Sequence, residues 1–388
     1  MEFSLQRSDL LKELTLSQGV LERKATIPIL SNVLIEAIAP EKGAPADSLS
    51  GSLRLTATDL ELGIRASCPA KVKKEGATTA PGKKLFDYIR QLEEGEVRCK
   101  VADAAGGPLQ LSSGRSHVRM AGMARDNFPV LPDFPAKLAV IPPATLMQMI
   151  NRTIFAISSE ESRYTLNAAL LILKGETMTM VATDGHRLAH VETDPSLAKE
   201  GYSGVSGELR VLVPRKAMTE LNRLLADAPA ETGIEFGKDD NHLFFRIGGR
   251  LLICRMLTGQ FPNYEAVLPK GCDHVALVEH GQLASAIRRV SLFTDERTHA
   301  IRLEMAKDEV KFVASGSEAG ESEESVPASF DASPIKIGFN WQYLTDFLAA
   351  SPSEKVSMEF KDEQSAGQMR PATEDKLKYR YVVMPMRI

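Results

Sequence analysis

Two histidines, His186 and His190, stand four residues apart, the spacing that grips a zinc ion when both lie on one helix face. The surrounding residues 180–192 read instead as strand, turn, strand. At ~3.3 Å per residue that puts the two about 13 Å apart, too far to share an ion. We expect a turn histidine, an exposed strand histidine and no metal. Asp59 and Asp184 could form an acid–base pair, but they occupy equivalent places in separate repeats, and aspartate after threonine is ordinary turn chemistry. The stretch Gly76-Ala77-Thr78-Thr79-Ala80-Pro81-Gly82-Lys83 has five residues between its glycines, and Lys84 follows. A phosphate-binding loop needs four, and a hydroxyl residue after the lysine. Neither Ser203 nor Ser206 has glycine two residues away on both sides, as a hydrolase elbow requires. No dinucleotide fingerprint and no triad stand out. The expectation is a chain with no catalytic residues and no cofactor.

The chain has 388 residues, 43% of them hydrophobic and 25% charged, with a formal net charge of −4. That composition belongs to folded globular domains and excludes a generally basic nucleic-acid coat. Cys68, Cys99, Cys254 and Cys272 are widely spread without a C-x-x-C, which points to a reducing cytoplasm. No apolar run approaches the ~18 residues of a membrane span, and residues 1–14 are charged and periodic, unlike a signal peptide.

The elements that must position any site come in three copies. Leu53-Arg54-Leu55-Thr56-Ala57-Thr58-Asp59 is answered by Met178-Thr179-Met180-Val181-Ala182-Thr183-Asp184, and more loosely by residues 310–316. Helices opening at Pro81, Pro214 and Gly338 form a second series. Asn127-Phe128-Pro129, Gln260-Phe261-Pro262 and the terminal Val383-Met384-Pro385-Met386 form a third. Three series in one order imply three domains, 1–135, 136–270 and 271–388. Each also has an early helix, expected over 8–22, 142–157 and 279–293, among short alternating strands. This is an α+β chain of three repeated domains, each of two helices and antiparallel sheet. Residues 40–52, 316–324 and 361–378 read as loops, the second being an acidic hairpin tip.

These motifs resemble a known family. Thr183-Asp184-Gly185-His186-Arg187-Leu188, Phe261-Pro262-Asn263-Tyr264 with Val267-Leu268-Pro269, and Tyr381-Val382-Val383-Met384-Pro385-Met386-Arg387 resemble the bacterial DNA polymerase III β subunit, the sliding clamp. So do Ile27-Pro28-Ile29-Leu30, Ser113-Gly114-Arg115-Ser116 and Gly338-Phe339-Asn340. The resemblance implies the DNA-clamp fold, a head-to-tail homodimeric ring of six domains, and double-stranded DNA threaded without regard to sequence. It implies processivity for the DNA polymerase III catalytic subunit, and docking of the clamp loader, other DNA polymerases and repair proteins. The partner-peptide pocket would consist of Leu166, Thr183, Gly185, His186, Arg187, Leu188, Pro262, Val267, Asn340, Tyr343, Val382, Met384, Pro385, Met386 and Arg387. The dimer interface would involve Lys84, Val118, Leu292 and Phe293. Lys24, Lys83, Arg163 and Tyr164 would contact DNA, and Arg152, Arg215, Lys216, Arg288 and Arg289 lie on helices that would face it.

Ring geometry agrees with that number. A domain of this size is a sphere ~36 Å across, and six in a ring leave a hole about as wide. The six helix windows together carry a net +5 inside a chain of net −4. Two other readings compete. A peptide-binding scaffold that does not encircle DNA is separated by ring closure, and a hydrolase by activity that survives purification.

Overall fold

The structure is a computed structural model. It describes residues 1–22, 26–40, 51–102, 107–160, 162–196, 201–228, 232–316, 320–351, 353–373 and 376–387. The chain divides into two compact bodies, residues 1–143 with 216–256 and residues 144–215 with 257–388.

The first body opens with β1 (Glu2–Gln6), α1 (Arg7–Ser17), β2 (Asn32–Ile38), β3 (Ser52–Thr58), β4 (Leu62–Pro69), β5 (Lys71–Lys74) and β6 (Gly76–Pro81). There follow α2 (Gly82–Gln91), β7 (Glu96–Lys100), β8 (Leu109–Ser113), β9 (Ser116–Met120) and β10 (Lys137–Ile141). The chain then enters the second body with α3 (Pro143–Asn151), β11 (Ala168–Lys174), β12 (Thr177–Thr183), β13 (Arg187–Thr193) and β14 (Glu208–Pro214). It returns with α4 (Arg215–Ala226), β15 (Ile234–Lys238), β16 (His242–Ile247) and β17 (Arg250–Arg255). The remainder is β18 (His274–Glu279), α5 (His280–Ser291), β19 (Ala300–Ala306), β20 (Glu309–Gly316), β21 (Gly320–Ser329), β22 (Ile335–Asn340), α6 (Trp341–Ala350), β23 (Lys355–Phe360), β24 (Gly367–Pro371) and β25 (Leu377–Val383).

Local chemistry explains the helices. The Glu279 carboxylate accepts the Gly281 and Gln282 amides to start α5, and Asn340 accepts the Gln342 amide to start α6. Arg90, Arg223, Arg288 and Arg289 fall in last turns, where cations complement the helix dipole. Leu283, Ala286, Ile287 and Val290 recur at three- and four-residue steps and are buried, which leaves the basic face of α5 to solvent.

The first body holds a five-stranded sheet, β5-β1-β7-β8-β9, and an eight-stranded sheet, β10-β15-β16-β17-β4-β3-β2-β6. The second holds one twelve-stranded sheet, β14-β11-β12-β13-β25-β24-β23-β18-β21-β20-β19-β22. In the first body β4 pairs antiparallel with β17, Ala66 opposite Arg250 and Leu62 opposite Cys254. In the second, β13 pairs with β25 in the same way, Arg187 opposite Val383 and Thr193 opposite Leu377. Each ladder gains one further bond past its end: the Arg255 amide donates to Glu61 O at 2.8 Å, and the Met384 amide to His186 O at 2.9 Å.

Several expectations need correction. The early helices stop at Ser17, Asn151 and Ser291, short of the expected ends, and a separate 3-10 turn, Ile154–Ala156, follows α3. Glu321, Glu323 and Glu324 belong to β21 rather than to a loop, because β20 pairs with that strand up to Gly316–Gly320. Residues 367–371 of the expected polar loop form β24, held between β23 and β25. Most of the expected 40–52 loop lies outside the described residues.

Candidate functional site

The turn between β12 and β13 is built by its own side chains. Asp184 Oδ1 accepts the His186 and Arg187 amides at 2.9 and 3.0 Å, Gly185 N–H donates to Thr183 Oγ1, and that hydroxyl donates to Arg187 O at 2.7 Å. The first body repeats the arrangement: Asp59 Oδ1 accepts the Glu61 and Leu62 amides, and Thr58 Oγ1 donates to Leu62 O. Both aspartates therefore shape turns. Gly185 sits at φ +91°, a region that side chains rarely adopt, and a Cβ there would meet the Arg163 guanidinium at 2.8 Å.

Arg187 is turned into the protein, its side chain 10% exposed. Its Nε donates to Asp184 Oδ2 at 3.0 Å, Nη1 to Asp346, and Nη2 to Phe155 O at 2.8 Å. The guanidinium lies 4.4 Å from the Tyr343 ring centroid. Tyr343 O in turn accepts the Tyr381 hydroxyl. Arg187 and Tyr343 thus tie the hairpin to α6, and Asn340 caps that helix.

Beside this hairpin runs the chain terminus. After β25, the Met384 amide bonds His186 O and the Met386 amide bonds Gly338 O at 2.8 Å, so residues 384–386 are pinned at two points. Met384 is 45% exposed and Val267 38%. Leu188 and Val382 are buried with Ala168, Leu170, Ile172, Val181, Leu212 and Tyr264, and Leu257, Phe261 and Leu268 pack against that cluster. The result is an apolar seat with two exposed apolar side chains and an adaptable methionine at its rim, suited to holding an apolar segment of another chain. The structure thus gathers Thr183 to Leu188, Tyr343 and Val382 to Met386. Leu166 closes a 3-10 turn just before β11, Pro262 is exposed next to Phe261, and Arg387 is exposed. Ile388 lies outside the described residues. Tyr264, Leu257, Phe155 and Asp346 were missed as contributors; only Tyr264 had a signal, its place in the repeated Phe-Pro element.

His190 is buried, not exposed as expected. Its ring packs 5.6 Å from that of Tyr264, and no ring bond satisfies Nδ1. Burial, then the neighbouring Arg380 charge, pushes its pKa down to about 4. The unfolded chain takes up this proton near pH 6.5, whereas the folded chain refuses it until about pH 4. The stability contributed by neutral His190 is therefore complete above pH 6.5 and is lost as pH falls from there, by up to about 3 kcal/mol near pH 4. Urea unfolding between pH 7 and 4 should show this decline, and His190→Gln should flatten it; equal slopes in the two proteins would contradict the assignment. Among the described residues no cluster of three or more His, Cys, Asp or Glu could hold a metal.

The expected phosphate contacts are scattered. Lys83, Arg215 and Arg288 are exposed on α2, α4 and α5. Lys216 is ion-paired with Asp59, and Arg289 donates twice to Glu324 at 2.8 and 2.9 Å. Arg163 donates to Asp184 O at 2.7 Å, and Tyr164 is exposed next to it, which places both beside the Gly185 turn. Arg152 is a correction: it is 3% exposed, its guanidinium 5.6 Å from the Tyr379 ring, so it cannot reach a phosphate. Lys24 lies outside the described residues. Of the expected dimer residues, Lys84 is exposed, Leu292 is 74% exposed just past α5, Phe293 is half-buried, and Val118 lies on β9.

Comparison with known proteins gives one consistent answer. Residues 1–132, 140–263 and 265–387 match the family models of the N-terminal, central and C-terminal domains of the DNA polymerase III beta subunit. The chain is 34% identical to the beta sliding clamp of Pseudomonas aeruginosa and 32% identical to that of Escherichia coli, over 100% of each chain. A crystal structure of the P. aeruginosa clamp with ligand superposes with a TM-score of 0.88 at 32% identity, covering all of both chains. The Bartonella birtlesii clamp bound to griselimycin gives 0.87 at 31%, again over both whole chains.

Proposed function

The chain belongs to the DNA polymerase III beta subunit family, the beta sliding clamps, and from that premise we propose that two copies close head to tail into a ring around duplex DNA. It is a non-catalytic processivity subunit with the three-domain sliding-clamp fold. Domains 1–135, 136–270 and 271–388 are the three copies.

One observation carries the ring: the repeat-equivalence of the strand seams. The seams β4–β17 and β13–β25 each join a repeat's third strand of its central meander to the closing strand of a neighbouring repeat. The third repeat offers the equivalent strand, β21, whose outer edge is paired with β18 only at Ser329 and Ala328 among the described residues. The first repeat offers the equivalent closing strand, β9, paired only with β8 among the described residues. Two unsatisfied edges of matching type call for the partner's backbone. They also match in charge, Arg119 on β9 against Glu321 and Glu323 on β21, and Leu292 lies exposed just past α5. Closing β21 of one protomer on β9 of its partner gives two interfaces and six domains.

Exposed Lys83, Arg215 and Arg288 supply phosphate contacts without base reading, so the hold on DNA is topological rather than tight. The seat around Met384 takes short segments of the polymerase catalytic subunit, the clamp loader and repair proteins. No helix among the described residues is long and apolar enough to cross a membrane, and the site of action is the cytoplasm. At micromolar concentration the protein should sediment at about 85 kDa, twice 42.4 kDa; a 42.4 kDa species would overturn the ring.

A further inference from the structure

The five-stranded sheet carries an ordered field of cations on one face. Phe3, Leu5, Val97, Cys99, Leu109 and Leu111 are buried beneath it. The opposite face follows from the register. Lys71 lies opposite Ser4, Ser4 opposite Arg98, Arg98 opposite Ser112 and Ser112 opposite His117. In the next row Lys74, Glu2, Lys100, Gln110 and Arg119 stand in line. Cations therefore occupy every second strand. They are spaced ~9.6 Å across the sheet and ~6.8 Å along each strand. Lys73 adds another at the bulge in β5.

Among the described residues the carboxylates on this face are Glu2, paired with Lys73 at 3.5 Å, and Glu96, held by Ser4 and Arg98. The Lys73 and Arg98 side chains are 76% and 75% exposed, so these pairs are weak and open readily to a competing phosphate. Six lysines and arginines against two glutamates is a large local excess in a chain of net −4. Between the strands lies a shallow trough of about 490 Å³ bordered by Arg98, Lys100, Gln110, His117 and Arg119.

We propose that this face is a nucleic-acid surface separate from the helices assigned to threaded duplex, and that it takes a phosphodiester backbone by charge alone. A docked peptide needs an apolar anchor or an open backbone edge. This face offers no apolar anchor, since its apolar residues point inward, and the open edges of the sheet, β5 and β9, lie beside the face rather than on it. A phosphodiester chain needs only spaced cations. No Phe, Tyr or Trp stands in either row, so bases are not stacked and the contact is indifferent to sequence. His117 and Arg119 lie on the strand assigned to the protomer interface. The proposal therefore rests on Lys71, Lys73, Lys74, Arg98 and Lys100.

The test is fluorescence anisotropy with a labelled 20-nucleotide single strand and the free full-length protein at low ionic strength. Five phosphate contacts predict a slope of about −3.5 in log affinity against log salt. Replacing all five cations with glutamine should weaken binding at least tenfold and flatten that slope, with an unchanged circular dichroism spectrum. If that variant fails to fold, Lys71→Gln with Arg98→Gln should still give a graded loss. The helix variant Lys83→Gln, Arg215→Gln, Arg288→Gln should lose less affinity for the strand than the sheet variant does. Undiminished binding by the sheet variants, or loss only in the helix variant, overturns the proposal. So does poly-L-glutamate of equal charge competing as well as the oligonucleotide, which would make the surface one for acidic peptides.

Discussion

Leu292→Asp combined with Phe293→Asp should turn the 85 kDa dimer into a folded monomer of 42.4 kDa. Leu292 is 74% exposed in the single chain, and Phe293 is half-buried, its amide donating to Val290 O. Removing them therefore costs the protomer little. A head-to-tail ring has two interfaces, so the double variant alters four side chains. Counting the two exposed Leu292 side chains alone, at roughly 1.5–3 kcal/mol of burial each, the lost association energy is on the order of 3–6 kcal/mol, at least two decades in Kd. Desolvating the new carboxylates adds to it. Sedimentation gives the mass, and urea unfolding should show a midpoint close to the wild type's. A variant that still sediments as a dimer at micromolar concentration would remove this loop from the interface.

The second large effect concerns the terminus. Deleting Met384 to Ile388 leaves β25 whole, because that strand ends at Val383. It removes the half-exposed Met384 and both pinning bonds, to His186 O and Gly338 O. Losing two methionines and a proline from an apolar seat should weaken binding of a polymerase-derived peptide by at least about a hundredfold, some 3 kcal/mol. The dimer mass should not change, since none of these residues lies on β9, β21 or the Leu292 loop. Fluorescence polarisation with the labelled peptide reads the first quantity and sedimentation the second. Equal affinity in the truncated protein would refute the seat.

What could be read in the sequence follows the range of the interactions. The Thr-Asp turns at 58–59 and 183–184 depend on bonds within five residues, so their repetition announced the repeated fold directly. The helices were legible for the same reason, through buried steps such as Leu283, Ile287 and Val290. Misreadings arose where a distant partner decides. Residues 316–324 look like an acidic loop, and only pairing with β20 makes 320–324 part of a strand. His190 is charged or neutral according to Tyr264 and Arg380, and Arg152 is buried by Tyr379, all far along the chain. Arg187 carries a pocket residue's type and place, yet its guanidinium is spent on Asp184, Asp346 and Phe155. The seams β4–β17 and β13–β25 could not be read at all, because alternation marks a strand without choosing its neighbour.

The central claim is that DNA is retained by encirclement and not by affinity. Exposed cations on three helices, in a chain of net −4, make equilibrium binding to linear duplex weak and strongly salt-dependent. A closed ring on a circle can leave only by opening an interface, which salt screens far less than an exposed phosphate contact. The direct measurement is gel filtration of protein loaded on nicked circular DNA by a clamp loader and ATP, in moderate salt, before and after one restriction cut. The protein should elute with the intact circle and separate from the DNA once it is linear. Protein that stays on the linear molecule, or that binds circle and linear duplex alike without a loader, would show retention by affinity and contradict the ring.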